Sequence, residues 1–188
     1  MRKMFLFFLA AAALLMTVSA QNAMAQSRSE TPKFEIGGHY TLLRFSDFDQ
    51  SDSGVGSRIT YNASDNFSLE TEFNFFPERR LNFANLTSGD SRRMQGLFGA
   101  KYGIRSEKFG IFGKIRPGFI RFGEGEVVAG SAATEFALDI GGVVELYPTR
   151  PVALRFDIGN TLVRFGSLGG DGFTSNNLQI TTGVALRF

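Results

Sequence analysis

From Phe34 to the C-terminus, apolar and polar residues alternate with period two in eight runs set apart by turn-forming residues. Successive side chains of a strand point to opposite faces, so each run predicts a strand with one apolar and one polar face. In the first run Phe34, Ile36, Tyr40 and Leu42 oppose Glu35, Gly37, His39 and Thr41. The second, Gly54 to Ala63, sets Val55, Ile59 and Tyr61 against Arg58, Thr60 and Asn62. In the third, Phe67, Leu69, Phe73 and Phe75 oppose Ser68, Glu70, Glu72 and Asn74. The fourth, Arg93 to Arg105, is the least regular, and in the fifth, from Phe109, Pro117 predicts a bulge or an irregular strand end. The sixth sets Phe136, Leu138, Ile140, Val144 and Leu146 against Glu135, Ala137, Asp139, Gly141, Val143 and Glu145. The seventh alternates from Val152 to Gly159, and the eighth, Leu178 to Phe188, closes the chain.

The connections alternate in length. Tight ones fall near residues 63–66, 106–108 and 148–151, and long polar ones at about 46–53, 77–92, 123–134 and 163–176. All the short turns therefore lie at one end and all the long loops at the other. Membrane-spanning barrels have short periplasmic turns and long external loops, with both termini in the periplasm when the strand number is even.

Composition agrees with strands. Glycine (22 residues) and phenylalanine (21) are both abundant, tryptophan and cysteine are absent, and no disulfide or thiolate metal site is available. At the N-terminus Met1-Arg2-Lys3, an apolar run from Met4 to Val18 and Ala23-Met24-Ala25 follow the order of a secretory signal. The run is shorter than the roughly 20 residues of a spanning helix. The expected division is a signal peptide at 1–25 and one β-barrel domain at 26–188. Of the 20 Lys and Arg, Arg2 and Lys3 leave with the signal, so 18 basic residues face 18 acidic ones. That balance gives no reason to expect a nucleic-acid partner.

Alternation alone does not say whether the apolar face meets a protein core or lipid, and a soluble barrel or sandwich shares the pattern. Three features favour lipid. The polar face carries Gly37, Gly99, Gly103, Gly110, Gly141, Gly159 and Gly183, which suit a narrow lumen. Phe34, Tyr61, Phe67, Tyr102, Phe109, Tyr147 and Phe188 fall near the short-turn side, where an aromatic girdle belongs. The chain also ends on a strand at Phe188. With these features it resembles the OmpA/OmpX-type small outer-membrane β-barrel family of Gram-negative bacteria. The resemblance implies an all-β, eight-stranded antiparallel up-and-down transmembrane barrel in the outer membrane. It also implies that Phe188 is an assembly signal read by the outer-membrane assembly machinery.

With the apolar face outward, the lumen receives Glu35, Glu70, Glu72, Glu135, Asp139, Glu145 and Asp157 against Arg58, Lys101, Arg105, Lys114, Arg116, Arg155 and Arg187. Charges taken out of water need partners, so this set predicts an internal ion-pair network. Arg79, Arg80, Arg92 and Arg93 at the feet of the second long loop are candidates to bind lipopolysaccharide phosphates. His39, the one histidine, is the natural candidate for a general base, but no His-x-Ser accompanies it and Ser46 and Asp47 lie several residues away. No phosphate-binding glycine loop or metal-ligand cluster occurs, so neither cofactor nor enzyme activity is expected. The expected function is a structural or surface-interaction role among outer-membrane lipids, with the external loop partner unspecified. The alternative is OmpW-like passage of small apolar molecules, for which Leu43, Phe45, Leu97 and Phe112 on the inner parity are the hint; a lipid-modifying enzyme comes last.

Overall fold

The alternation closes into a ring. A computed structural model describes residues 31–45, 50–77, 92–123, 133–165 and 172–188. Within them run β1 (Phe34–Phe45), β2 (Gln50–Asn62), β3 (Phe67–Phe76), β4 (Arg93–Arg105), β5 (Phe109–Phe122), β6 (Ala133–Thr149), β7 (Val152–Arg164) and β8 (Thr174–Arg187). Each pairs antiparallel with its sequence neighbours, and β8 pairs with β1 from Glu35↔Arg187 to Phe45↔Asn177 to complete a closed barrel. The expected signal at 1–25 lies outside the described residues.

The apolar parity faces outward. Ile36, Ile59, Phe73, Phe98, Ile115, Ile140, Phe156 and Ile180 all remain exposed on the outer surface, while charged and amide side chains are buried within. This is inverted relative to a soluble barrel and matches a strand surface solvated by hydrocarbon.

Four elements depart from the expected pattern. β2 begins at Gln50, so Asp52, expected in a loop, is a strand residue, and β8 likewise starts at Thr174. Pro117 produces no bulge: β5 pairs with β6 through Pro117↔Leu138 without a shift. Only the pairing to β4 lapses, between Leu97↔Gly118 and Ala100↔Ile115, and it resumes in the same register. Proline has no N–H to give that ladder, so the irregularity stays local. Tyr147 follows the inward parity and is buried in the lumen, so it does not belong to the girdle. Phe34, Tyr61 and Phe188 do share one outer level, with ring centroids 5.2 Å apart for Phe34–Tyr61 and 6.3 Å for Phe34–Phe188.

Candidate functional site

An eight-stranded barrel has a bore that side chains just fill. Here the filling is layered. Nearest the loop end, Arg93 pairs with Asp52 and lies over the Phe122 ring. Below it Leu43, Phe76, Leu97, Ile120, Phe122, Ala137 and Val163 pack into an apolar layer. Next comes an amide layer. Asn74 donates to Gln95 Oε1 (2.8 Å), Gln95 to Gln179 Oε1 (3.2 Å), and the Thr161 hydroxyl to the same Gln179 oxygen (2.8 Å).

The ionic layer fills the centre. Arg58 donates through Nε and Nη2 to Glu72 Oε2 (2.8 and 2.6 Å) and reaches Asp157 (3.1 Å). Arg116 joins Glu72 and Asp139, each at 2.6 Å, and Lys114 joins Asp139 (2.9 Å) and Asp157 (2.6 Å). Arg155 grips both oxygens of Glu70, pairs with Asp157 (2.8 Å) and touches Glu145 (3.1 Å), while Lys101 bonds Glu145. In a closed ring of eight, β3 and β7 face each other, so Glu70–Arg155 spans the full bore. The short-turn mouth is closed by Tyr147, whose hydroxyl donates to Glu145 (2.7 Å) and accepts from Arg105 Nε (3.1 Å). Arg187 stacks 3.9 Å over its ring and donates to Glu35 (3.2 Å).

The inward glycines make room for these heads. A Cβ on Gly159 would stand 2.5 Å from Asp139 Oδ1 and 3.2 Å from Lys114 Cε. One on Gly110 would stand 2.7 Å from the Tyr147 hydroxyl.

The structure therefore brings Glu35, Arg58, Glu70, Glu72, Lys101, Lys114, Arg116, Asp139, Glu145, Arg155, Asp157 and Arg187 into one connected interior, with Arg105 beside them. Glu135 is half-buried near the loop end. Two groups carry no signal in the alternation: the Asp52–Arg93 pair, because the polar residues around Asp52 read as loop, and the amide layer, because uncharged residues carry no pairing signal. Arg93 departs from its expected place at the lipid phosphates, since its inward parity buries it against Asp52. Arg92 is exposed immediately before β4, and Arg79 and Arg80 lie outside the described residues.

His39 is buried in the amide layer, its Nε2 2.6 Å from Asn74 Oδ1 and 3.8 Å from Glu72. A cavity of about 10 Å³ beside it, lined in part by Arg58, Thr60 and Arg155, is room for one water and not for a substrate. Ser46 and Asp47 lie outside the described residues. Of the apolar hints, Leu43 and Leu97 are packed within the apolar layer, and Phe112 is packed under Lys101 (4.7 Å) and Arg105 (5.2 Å). The side chain of Phe45 lies outside the described residues.

Comparison with known proteins agrees with this architecture. No curated protein sequence matches the chain. Neisserial surface protein A has a similar structure at 16% identity and a TM-score of 0.54, covering 85% of this chain and 100% of that one. Outer membrane protein W of E. coli is similar at 16% identity and a TM-score of 0.53, covering 86% and 100%. Ail, the attachment invasion locus protein of Yersinia pestis, is similar at 15% identity and a TM-score of 0.50, covering 85% and 99%. At these identities the likeness is one of fold. Residues 10–188 match the outer membrane protein beta-barrel domain. Taken with the outward apolar band and the closed ring, that match places the chain in the outer-membrane β-barrel family of Gram-negative bacteria, as a protein of the outer membrane.

Proposed function

We propose that this barrel is a passive, non-enzymatic structural element of the outer membrane, a plugged scaffold that presents four loops for surface interaction. The observation that carries this reading is the Glu70–Arg155 bridge between facing strands, set in a lumen packed from the Asp52–Arg93 pair to Tyr147. A bore crossed by ion pairs offers no continuous water column. It also ties distant strands together, through Glu70–Arg155 between β3 and β7 and Arg58–Asp157 between β2 and β7. Passage of small apolar molecules lacks comparable support, since Leu43 and Leu97 are buried within the packed apolar layer.

Planar-bilayer recording of the full chain tests the proposal. Only small or rare conductance steps are expected. Large, stable, porin-like currents from the unmodified protein would overturn it.

A further inference from the structure

Parity sends the amide side chains of the strands into the lumen except on one strip of the wall. On β7, Phe156, Ile158, Asn160 and Leu162 share the outward parity, and on β8 so do Asn176, Leu178 and Ile180. Among the described residues Asn160 and Asn176 are the only amides on the outward parity of the eight strands, and both are exposed. Asn74, Gln95, Asn177 and Gln179, by contrast, point inward and are buried. Asn160 stands well inside the apolar band. It pairs with Ile140 of β6 and Leu178 of β8 and lies between Ile158 and Leu162 along its own strand. Arg164, at the loop end of β7, is four residues further on, which at a strand tilt of about 40° is roughly 10 Å nearer the membrane surface. We infer that this strip is the contact between two copies of the chain lying side by side in the membrane, with Asn160 at its centre.

Hydrocarbon gives an amide nothing to bond, so an unpaired one there is costly. Asn160 Nδ2 donates to Asn176 Oδ1 at 3.3 Å, the one side-chain hydrogen bond that either makes among the described residues. The Asn160 carbonyl, its second amide proton and both protons of Asn176 are left to an outside partner. Symmetry favours a second copy in that place. All copies of an outer-membrane chain insert the same way round, so two that meet through one strip are related by a two-fold axis along the membrane normal. Each residue then meets its counterpart at its own depth. An amide carries both donor and acceptor, so two Asn160 side chains at one depth can bond each other in both directions. Two convex walls touch along a narrow strip, and Asn160 and Asn176 lie on adjacent strands, within such a width. Ile158, Leu178 and Ile180, all exposed, supply the apolar contact around them. The opposite wall differs. On β4 the outward Met94, Gly96, Phe98 and Ala100 bear neither amide nor hydroxyl and are satisfied by lipid alone. An acyl chain against β7 would satisfy Ile158 and Leu178 but not Asn160.

The chain has no cysteine, so a single introduced thiol reports only its own surroundings. Leu178→Cys stands beside Asn160, and Met94→Cys stands on β4, across the ring from β8. Each full-length variant is reconstituted into phosphatidylcholine vesicles over a range of lipid-to-protein ratios and oxidised with copper phenanthroline, with unheated gel mobility confirming that it is folded. Leu178→Cys should give a disulfide-linked dimer at ratios where Met94→Cys stays monomeric. Adding Asn160→Leu to Leu178→Cys should weaken association about tenfold, as expected for two amide hydrogen bonds lost within the bilayer. That change puts an apolar chain where an amide met hydrocarbon, so the variant should fold at least as well as its parent. Lost cross-linking is then lost association. Equal cross-linking at the two positions would overturn the inference, and so would cross-linking indifferent to Asn160→Leu. A chain monomeric at every ratio would overturn it too, and would assign the two amides to a lipid or to a different protein. None of these outcomes bears on conductance, so the plug and the paired barrels stand or fall separately.

Discussion

Arg155 shows how the interior works at the scale of single residues. It is buried and makes contact with Glu70, Glu145 and Asp157, so its charge is shared among three carboxylates that have left water. Removing one partner of a buried ion pair leaves the other uncompensated, and this is where most of the cost arises. Arg155→Ala should therefore destabilise the barrel by about 3–5 kcal/mol, measured by urea titration of folding into lipid vesicles. Adding Glu70→Gln should return part of the loss, because it removes one of the stranded charges. A loss under about 1 kcal/mol for the single variant would mean that water reaches the site and the pair acts as an exposed one. Gly159 gives the complementary prediction. Gly159→Val places atoms where Asp139 Oδ1 and Lys114 stand, so it should destabilise by about 1–3 kcal/mol in the same titration, while a tolerated valine would show that the ionic layer can shift. The charged positions were legible in the sequence because parity alone sends Glu70, Arg116 and Arg155 inward. Their partners were not, because which acid meets which base depends on strand stagger around the ring, and alternation carries no information about that.

At the scale of one element, β6 is the clearest case of a two-faced strand. Ile140 is 44% exposed on its outer side, while Ala137 is fully buried on its inner side against the apolar layer. In a soluble protein a charge would be tolerated at the exposed position and resisted at the buried one. In a membrane barrel the exposed position meets hydrocarbon. Ile140→Arg should cost about 2–4 kcal/mol when folding is measured in bilayers, and Ala137→Ser much less, because a small hydroxyl inside can bond within the lumen. Reversed sensitivities would swap inside and outside. Period two made β6 and β3 readable at sight. It misjudged strand ends, where Asp52 and Thr174 are paired but polar on both sides and so look like loop. It also credited Pro117 with more disruption than one lost ladder contact, because the other edge of β5 holds its register.

The whole molecule is a ring with a seam, and the seam is β1 against β8. Phe34 and Phe188 seal its short-turn end by exchanging backbone hydrogen bonds, each 2.9 Å, with their rings stacked outside. Beyond that point the pairing runs without interruption from Glu35↔Arg187 to Phe45↔Asn177. Removing Phe188 thus takes away two backbone bonds and one ring contact and leaves the rest of the seam intact. The truncated protein should still fold in detergent and still migrate faster unheated than boiled, since a closed barrel exposes no edge from which to unravel. In cells the expectation is different. The resemblance assigns the terminal aromatic to recognition by the assembly machinery, a role separate from its place at the end of the seam, where it is 63% exposed. Surface levels of the truncated protein should fall although its folded stability barely changes. Wild-type surface levels would show that Phe188 is only a girdle residue. A truncated protein that no longer shifts on heating would show instead that the seam depends on its last pair, and that closure, not recognition, is what Phe188 supplies.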